Sequence, residues 1–373
     1  VYFGGLGSEL KGETIPFSPT CMTMTVREPI GVVGAIIPWN APMYLMALKI
    51  APALVAGNAV VVKSAEETPF CCLRICEILS TVLPPGVFNI VSGDGPGCGA
   101  PLAEHPEVGK VTFTGSVETG RIVYRAAAEK LVPVTLELGG KSPMLILDDA
   151  DLDKAVTGAI SGMRFTRQGQ SCTAASRIFV HRSLEAEFTK KLVSAVNAMK
   201  MGDPLAEETD IGTIISPAQL ERVEHYLNLA KRVPGVQVYE CSALPESAHL
   251  AQGLFVRPAI LSGISNDHPV CTDEIFGPVT CILTFDDLDE AIEKANDSEY
   301  GLAATVWTRD LSSALKAVNA LEAGFVQVNQ NLVVQPTLPY GGYKKSGLGK
   351  EASLDSMLEH FTHRKTIILN LDA

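Results

Sequence analysis

Short apolar runs alternate with amphipathic stretches along the first part of the chain. Runs rich in Val and Ile, each followed by Pro, Lys or Gly, are typical of buried parallel strands. They occur at positions 31–37, 59–63, 87–91 and 111–114. Stretches of helical length separate them at 43–56, with a kink or start at Pro52, and at 69–83. This alternation predicts a parallel sheet with helices on both faces, an architecture of the dinucleotide-binding kind.

A second alternating block follows Gly140. Its predicted strands are 143–147, 177–180, 255–260, 279–285, 303–307 and 325–328. Its predicted helices are 152–165, 184–199, 217–231, 288–296 and 311–321. Because a chain of 373 residues is longer than a domain with one hydrophobic core usually is, we expect two α/β domains.

Three further segments fall outside the two blocks. Positions 12–27 alternate loosely and predict a strand or hairpin. The apolar tail 366–371 is β-prone, and because an exposed edge strand is a hazard, we expect it to pair with another strand or subunit. The Gly-, Pro- and Lys-rich segment 329–349 is too long to be a passive connection.

Charge and cysteine usage narrow the function classes. A net charge of −12 argues against a nucleic-acid partner, which needs a basic face. Pro and Lys interrupt the longest apolar stretch, 30–62, so no run reaches the roughly 18 to 20 residues of a membrane span. The nine cysteines lack metal-ligand spacing, so we expect no metal site, reduced thiols and a cytoplasmic location. The sequence begins without Met, which leaves an upstream targeting segment open.

Cys172 is the candidate nucleophile. A lone cysteine is most often a small buried hydrophobe. Here the preceding residues are Gln168, Gly169, Gln170 and Ser171, which suit a polar loop. We expect this loop to lead into a helix N-terminus, where the helix dipole favours the thiolate over the thiol.

Glu137 and Asn40 are candidate partners for this sulfur. Glu137 lies in the apolar segment VTLELGG, where a carboxylate is seldom placed unless it is paired or functional. Burial would raise its pKa and suit it to a general base. Asn40 lies between two prolines in PWNAP, and its rigid amide could donate to a developing oxyanion.

Two polar segments follow predicted strands and are candidates for nucleotide binding. In FTGSVETG, Ser116 can cap the next helix, whose free N–H groups would bind a pyrophosphate; an ordinary capped helix is the other interpretation. Lys63 and Glu66 could bind ribose hydroxyls, or form only a surface salt bridge. The alternating glycines of SGDGPGCGA do not match G-x-G-x-x-G, so a flexible turn and a nucleotide loop both stay open.

Taken together, the motifs resemble the NAD(P)-dependent aldehyde dehydrogenase superfamily over nearly the whole chain. The joint pattern is specific, although no single motif is. The matching motifs are IIPWNAP (36–42), KSAEETP (63–69), FTGSVETG (113–120), LELGGKSP (136–143), GQSC (169–172), EIFGPV (274–279) and PYGGYKKSGLGKE (339–351).

The resemblance implies a mechanism. Cys172 would attack the aldehyde, and the Asn40 amide and the Cys172 backbone N–H would hold the thiohemiacetal oxyanion. Loss of hydride would leave a thioester, which water activated by Glu137 would hydrolyse. Lys49 and Glu351 resemble a proton-exit pair behind this base. Glu137 favours free-acid production over the acylating, CoA-dependent branch of the superfamily.

The resemblance also implies NAD as the cofactor. The adenosine ribose would lie on Lys63 and Glu66, and because Glu66 would repel a 2′-phosphate, NADP is less favoured. Gly115 and Ser116 would contact the pyrophosphate. The remaining predicted cofactor residues are Ile36, Trp39, Gly95, Gly99, Phe113, Thr119, Leu138, Gly139, Glu274 and Phe276.

The implied fold has two doubly wound parallel-sheet domains and a small oligomerisation flap. The flap would comprise 12–27 and 359–373, the Rossmann-like cofactor domain 28–140 and 346–358, and the catalytic domain 141–345. A homodimer or homotetramer is expected, with 329–349 as a substrate-tunnel wall. The resemblance also predicts on the order of a hundred further residues upstream.

Departures from the family pattern bear on the substrate. Ser64 replaces the usual Pro after Lys63. Family members often carry aromatics where this chain has Ala41 and Leu48, and Val334 is likewise small. With apolar surface from Tyr44, Met46 and Phe165, we therefore expect a wide tunnel for a bulky, aromatic or medium-chain aldehyde. Arg164 and Arg167 could pair with a distal carboxylate on the substrate, so a semialdehyde dehydrogenase stays open as an alternative. A non-catalytic homologue with impaired NAD binding and a cofactor-independent esterase also stay open.

Overall fold

The structure is a computed structural model that describes residues 1–331 and 334–372. Its strands are β1 (Cys21–Pro29), β2 (Val32–Ile36), β3 (Ala59–Ser64), β4 (Phe88–Ser92), β5 (Val108–Thr114), β6 (Val134–Glu137), β7 (Pro143–Ile146), β8 (Arg177–His181), β9 (Gln237–Glu240), β10 (Ala259–Ser262), β11 (Val279–Phe285), β12 (Tyr300–Gly301), β13 (Ala303–Trp307), β14 (Phe325–Val328), β15 (Tyr343–Lys344), β16 (Gly347–Leu348) and β17 (Thr362–Asn370).

The helices lie between these strands. They are α1 (Pro42–Val55), α2 (Phe70–Leu79), α3 (Ala100–Glu104), α4 (Val117–Glu129), α5 (Leu152–Met163), α6 (Glu185–Asn197), α7 (Pro217–Lys231), α8 (Pro269–Thr272), α9 (Leu288–Asn296), α10 (Leu311–Ala320) and α11 (Leu354–Phe361). None of the helices within the described ranges is long and apolar enough to span a bilayer.

The first compact unit comprises 1–138, 334–341 and 347–372. Its six-stranded sheet has the order β16-β6-β5-β2-β3-β4 and is parallel except for β16. Apolar residues of β2 and β3 pack with α1 and α2 on one face, and β5 and β6 contribute apolar residues beside α3 and α4 to the other. Burial on both faces explains why these strands are nearly continuous apolar runs.

The second unit comprises 139–331 and 342–346. Its seven-stranded sheet has the order β14-β13-β7-β8-β11-β10-β9, and only the edge strand β9 runs antiparallel. Helices α5 and α6 cover one face, and α7, α9 and α10 cover the other. The fold class predicted from the strand–helix alternation is therefore confirmed.

Side chains that accept backbone N–H groups fix where many helices begin. This capping satisfies donors that have no partner in the first turn. The caps are Ser116 (α4), Asp151 (α5), Ser216 (α7), Asp287 (α9), Asp310 (α10) and Ser353 (α11).

A separate two-stranded sheet joins the two ends of the chain within the first unit. Strand β1 pairs antiparallel with β17 over its full length, from Cys21–Asn370 to Pro29–Thr362. The apolar tail therefore pairs with the early strand, one of the two outcomes expected for it. The residues before β1 pair with it only at isolated bridges, Thr14–Met24 and Ser18–Cys21.

Several predicted elements need correction. The strand predicted at 255–260 begins four residues later, as β10, because Val256 and Pro258 belong to the preceding loop. Helices α3, α8 and α11 and strands β9, β12, β15 and β16 were not predicted, because such short elements depend on contacts with residues distant in sequence. The predicted three-domain division stays a prediction; its ranges include positions 332, 333 and 373, which lie outside the described residues.

Candidate active site and cofactor site

A cavity of about 590 Å³ lies at the carboxyl ends of β2, β3 and β5 in the first unit. This sheet edge is where ligands bind in doubly wound folds. Most of the predicted cofactor residues line it: Ile36, Trp39, Lys63, Glu66, Gly95, Gly99, Phe113, Gly115, Ser116 and Thr119.

The start of α4 gives this cavity the features of a diphosphate site. The Ser116 hydroxyl caps the helix by accepting from the Thr119 N–H at 3.2 Å, as predicted. A Cβ at Gly115 would lie 2.5 Å from the Phe113 ring, so only glycine lets the backbone pass so close to it. The N–H groups at a helix start, together with the helix dipole, favour a bound anion. The residues present therefore fit a dinucleotide.

Lys63 and Glu66 meet at the wall of this cavity. The Lys63 ammonium donates to Glu66 Oε2 at 2.7 Å, so the predicted salt bridge does form. Partial burial pushes the pKa of Glu66 upward. The hydrogen bonds from Lys63 and from the Glu66 backbone, together with the charge of Lys63, outweigh this effect, and the pKa lies below its ordinary value. Glu66 is therefore anionic near neutral pH. It can accept hydrogen bonds from ribose hydroxyls.

The remaining predicted cofactor residues lie elsewhere. Leu138 is buried and packs against Gly120 of α4, where a Cβ would lie 2.6 Å from its Cδ2. In the second unit the Gly140 N–H donates to Glu274 Oε1 at 3.0 Å, and a Cβ at Gly139 would lie 2.1 Å from Glu274 Oε2. Burial raises the pKa of Glu274 to about 7 despite the Gly140 hydrogen bond.

Phe276 lies in a strained loop of the second unit. Its φ of 59° is in the left-handed region that favours glycine. The Gln219 amide donates to the carbonyls of Ile275 and Phe276, each at 2.9 Å, and holds the loop in this conformation. Backbone strain maintained by surrounding contacts is a feature of ligand-binding loops.

Cys172 lies half-buried in a turn and not before a helix, so the predicted helix N-terminus is wrong. The turn is closed by the Ala174 N–H donating to the Ser171 carbonyl at 3.1 Å, and the chain then enters β8. The Ser171 and Thr173 hydroxyls lie 3.2 Å apart across the turn. No helix begins between Ser171 and Ser176, so the expected activation of the thiol by a helix dipole is not available at this turn.

Glycines bring three motifs of the second unit into backbone contact around this turn. A Cβ at Gly140 would lie 2.4 Å from the Cys172 carbonyl oxygen. Gly169 has a φ of +65°, and a Cβ there would lie 2.2 Å from the Gly277 carbonyl oxygen. The GG, GQSC and EIFG segments are thus packed too closely for any larger residue.

We predict that Gly140→Ala displaces the Cys172 turn. Because the added methyl would overlap a backbone atom, the turn must move, and misplacement of a nucleophile by about 1 Å costs on the order of 10²-fold in kcat/KM. Gly7→Ala is the matched control, since nothing lies within 4 Å of its added Cβ. Aldehyde-dependent NADH formation measures both. Equal activity of the two variants would contradict the close contact.

Glu137 ends β6 in the first unit and is buried. Neither carboxylate oxygen has a hydrogen-bond partner among the described residues. Burial, and then the negative charge of Glu351, raise its pKa well above the ordinary value, and the cations Lys49 and Lys350 only partly oppose this. An unpaired buried carboxyl is costly to a fold and is characteristic of a functional site.

Lys49 and Glu351, the predicted proton-exit residues, form a fully buried ion pair in the first unit. The Lys49 ammonium also donates to Thr112 Oγ1 at 3.1 Å, and that hydroxyl donates to Glu351 Oε1 at 2.8 Å. Asn40 lies in the half-buried loop between β2 and α1. In this loop the Thr68 hydroxyl donates a hydrogen bond to the carbonyl of the neighbouring Trp39 at 3.2 Å.

The predicted tunnel residues divide between packing and surface positions. Tyr44 is exposed and its hydroxyl donates to the Val334 carbonyl at 2.5 Å, while Ala41 is half-buried. Leu48 packs in a small core of the first unit beside Phe3 and Met357. Phe165 has no exposed surface and lies in the core that packs beside α5 and α6 in the second unit. The burial of Leu48 and Phe165 argues for packing roles instead of the predicted tunnel wall.

Sequence reasoning missed several buried polar residues near these positions. Lys110 and Thr112 alternate with apolar residues in KVTFT, and that alternation was the available signal. Lys141 donates to the Val270 carbonyl at 2.7 Å, and Arg177 donates to carbonyls of Lys141 and Ala295. No sequence signal distinguishes such anchors from surface cations. Within the described ranges no grouping of three or more His, Cys, Asp or Glu suits a metal ion.

Comparison with known proteins identifies the family. The sequence matches the model of the aldehyde dehydrogenase family over residues 1–367. It is 42% identical over its whole length to retinaldehyde dehydrogenase 3 of Rattus norvegicus and covers 72% of that protein. It is 43% identical over 99% of its length to betaine aldehyde dehydrogenase of Rhizobium leguminosarum bv. trifolii (strain WSM2304) and covers 75% of it.

A solved structure gives the same result. The NAD+ complex of an aldehyde dehydrogenase from Bacillus cereus superposes with a TM-score of 0.94 at 40% identity, over 99% of this chain and 74% of that one. The chain therefore belongs to the aldehyde dehydrogenase family. It is an oxidoreductase that acts on the aldehyde group, and the family relationship supports binding of NAD(P).

Proposed function

We propose that this protein oxidises an aldehyde to the carboxylic acid with NAD+, using Cys172 as nucleophile and Glu137 as base. The observation that carries the proposal is the buried Glu137 carboxyl, which has no partner among the described residues and no structural explanation. Glu137 also precedes Gly140 by only three residues, and Gly140 touches the Cys172 carbonyl.

The residues divide the reaction into two stages. In the first, the Cys172 sulfur bonds to the aldehyde carbon, and the Asn40 amide and the Cys172 N–H donate to the resulting oxyanion. The bound nicotinamide supplies the hydride acceptor. In the second, Glu137 takes a proton from water, whose oxygen attacks the thioester and releases the acid. The overall reaction consumes one water and releases one proton, so Glu137 must lose a proton in every cycle.

The same pKa shift dictates a pH dependence. Because burial raises the pKa of Glu137 well above its ordinary value, its basic form becomes populated only at higher pH than for an ordinary carboxyl. The hydrolysis stage should therefore accelerate as pH rises. The first stage depends on the thiol and not on Glu137.

We propose NAD and not NADP as the preferred cofactor. Glu66 is anionic at the ribose position of the cavity and would repel a 2′-phosphate. We predict that Glu66→Gln lowers the ratio of kcat/KM for NAD+ to that for NADP+ by about 10-fold, since one charge repulsion is removed. Glu221→Gln, an exposed change on α7, is the control. An unchanged ratio would contradict this role.

For the substrate we propose a bulky, aromatic or medium-chain aldehyde. Ala41 and Val334 are small, and Tyr44 presents an exposed ring next to Val334. The relatives named above are a retinaldehyde dehydrogenase and a betaine aldehyde dehydrogenase, so the names of family members include a large aldehyde as substrate. We expect kcat/KM to rank benzaldehyde and hexanal above succinic semialdehyde. A preference of about 10-fold for the semialdehyde would correspond to about 1.4 kcal/mol and reverse the proposal.

A semialdehyde with a distal carboxylate is the second candidate. A cavity of about 340 Å³ in the second unit is lined by Arg164 and Arg167 together with Thr157, Ile160, Ser161 and Thr166. Arginine side chains suit a carboxylate, whereas the Thr157 and Ser161 hydroxyls already donate to backbone carbonyls. Arg167→Ala would then reduce kcat/KM for succinic semialdehyde and leave that for hexanal unchanged.

We further propose a homodimer or homotetramer in the cytoplasm. The β1–β17 ribbon exposes the apolar side chains of Met22, Ile368 and Leu369, which a second copy would cover. All nine cysteines are free thiols, which suits a reducing compartment.

A further inference from the structure

Two buried cysteines of the second unit lie against each other. Cys271 belongs to the one-turn helix α8, and Cys281 belongs to β11, the strand that follows the Phe276 loop. Each cysteine is 1% exposed, and the two thiols share a hydrogen bond. The Cys281 Sγ also lies 4.0 Å from the Val270 carbonyl oxygen. Two thiols in direct contact can form a disulfide after only a small movement of the chain.

Two buried cations stand beside this pair. The Lys141 ammonium donates to the Val270 carbonyl at 2.7 Å, and Arg177 is the neighbour of Cys281 in the β8–β11 ladder. The hydrogen bond from Cys281 lowers the pKa of Cys271, burial opposes this, and the charges of Lys141 and Arg177 lower the pKa further. The same hydrogen bond, and then burial, raise the pKa of Cys281. A thiol that ionises readily therefore lies beside one that keeps its proton.

Cys241 shows a different setting for a buried thiol in the same unit. It has no exposed surface, and its Sγ donates to the Tyr239 carbonyl at 3.6 Å. Burial raises its pKa to about 11, although the charge of Arg257 pulls the pKa downward. A buried thiol of this kind is inert. The Cys271–Cys281 pair differs from Cys241 in the groups around it and not in its burial.

We propose that Cys271 and Cys281 are a site of reversible oxidation, at which hydrogen peroxide converts the two thiols to a disulfide. The Cys271 thiolate attacks a peroxide oxygen, the O–O bond breaks, and hydroxide leaves and takes up a proton. Cys281 then attacks the sulfenic sulfur of Cys271, the S–O bond breaks, and water leaves with the Cys281 proton. The two thiols lose two electrons, and the peroxide is reduced to two waters. A thiol reductant reverses the reaction, as in a redox-sensing disulfide of a reducing compartment.

Local opening of α8 gives peroxide access to the pair. This helix comprises only four residues, Pro269–Thr272. It is held by the Lys141 hydrogen bond to Val270 and, just after its end, by the Tyr226 hydroxyl, which donates to Asp273 at 2.8 Å. Opening such a short segment costs less free energy than unfolding the domain. A small oxidant can therefore reach Cys271 without global unfolding.

Helix α8 also connects the pair to a predicted cofactor residue. Glu274 follows Cys271 by three positions, and its carboxylate accepts from the Gly140 N–H at 3.0 Å. A disulfide holds its sulfurs about 2.05 Å apart, closer than hydrogen-bonded thiols, so α8 must move toward β11 and displace Glu274. We expect oxidation to weaken NAD+ binding. This effect on affinity rests on the proposed function, whereas formation of the disulfide does not.

The test oxidises the Cys172→Ser protein with hydrogen peroxide and maps its disulfides by mass spectrometry after digestion. Removal of the Cys172 thiol prevents oxidation of the nucleophile from contributing to the result. We expect the peptides that contain Cys271 and Cys281 to become linked, and a thiol reductant to separate them. Cys241 is the internal control and should be oxidised at least about 10-fold more slowly than Cys271.

Two further substitutions in this protein separate the steps. In Cys281→Ser the resolving thiol is absent, so dimedone, which reacts with sulfenic acids, should label Cys271. In Cys271→Ser the raised pKa of Cys281 should keep it a thiol. Cys241→Ser is the matched control, because it removes a buried thiol from the same unit, and it should still form the disulfide.

Calorimetry with NAD+ measures the effect on the cofactor. We expect the Kd of the Cys172→Ser protein to rise at least about 10-fold on oxidation and to return with reductant. The protein that also carries Cys271→Ser should keep its Kd under the same treatment, because no disulfide can form at this site.

Two outcomes would overturn the inference. Absence of the Cys271–Cys281 linked peptide at a peroxide concentration that oxidises the exposed Cys71 removes the site. A complete disulfide with an unchanged Kd for NAD+ removes its connection to the cofactor. If a substituted protein fails to unfold cooperatively, the same peptide mapping on the wild type decides. A wild-type protein that forms no NADH with any aldehyde removes the proposed function and leaves the mapping result unaffected.

Discussion

Serine in place of Cys172 should lower kcat/KM for aldehyde oxidation by at least about 10³-fold. A serine hydroxyl is a far weaker nucleophile than a thiolate, and no histidine lies beside it in the chain to act as a base. The turn that carries Cys172 is held by backbone contacts with Gly140 and by its own hydrogen bonds, so the substitution should leave the fold intact. NADH absorbance with saturating NAD+ measures the loss.

Cys71→Ser is the control for this prediction. Cys71 is exposed on α2 and is not one of the residues that line the cavity of the first unit, and it carries the same thiol group. Its activity should stay within about twofold of the wild type. Comparable losses in the two variants would indicate a general effect of cysteine removal and contradict the nucleophile assignment.

Glutamine in place of Glu137 should separate the two stages of the reaction. Steady-state turnover should fall by about 10² to 10⁴-fold, the range expected for loss of a general base. The first turnover should still release NADH, because Glu137 acts only on the later water. A burst of about one NADH for each active site followed by a near-stop is the expected trace. Loss of the burst together with turnover would contradict the assignment of Glu137 to hydrolysis.

The same variant should be more stable than the wild type at high pH. The folded protein binds the Glu137 proton more tightly than the unfolded chain does, because burial raises this pKa. Wild-type stability therefore falls as pH rises above the unfolded value, while glutamine does not titrate. We expect an advantage of about 1 to 3 kcal/mol in the free energy of unfolding at pH 8 that shrinks toward pH 5. Thermal unfolding at the two pH values measures it.

The strand–helix alternation was sufficient to predict the fold class, because both sheets are built from strands buried on two faces. Short apolar runs such as AVVVK and PMLI, placed between stretches of helical length, are typical of such strands. Strand β16 and the two residues of β12 could not be predicted, since they exist only through pairing with distant segments. The start of β10 was misplaced because Phe255 and Val256 are apolar but belong to a loop.

For the site, the sequence motifs predicted short-range side-chain contacts better than they predicted the secondary structure around each residue. The Ser116 cap and the Lys63–Glu66 pair follow from local sequence, because their partners lie within three residues. The Cys172 turn was predicted to enter a helix, but small polar residues favour turns as much as helix starts. Lys110 and Glu137 lie on two different strands, so no single segment indicates that they share one side of the sheet.

The central claim is that Cys172 carries the acyl group that Glu137 later helps to hydrolyse. The most direct test treats Glu137→Gln with NAD+ and hexanal, then identifies the trapped adduct by mass spectrometry of the intact and digested protein. We predict one acyl group for each chain, on the peptide that contains Cys172, formed in step with the NADH burst. NADH formation without an adduct, or an adduct on any other cysteine, would contradict the account.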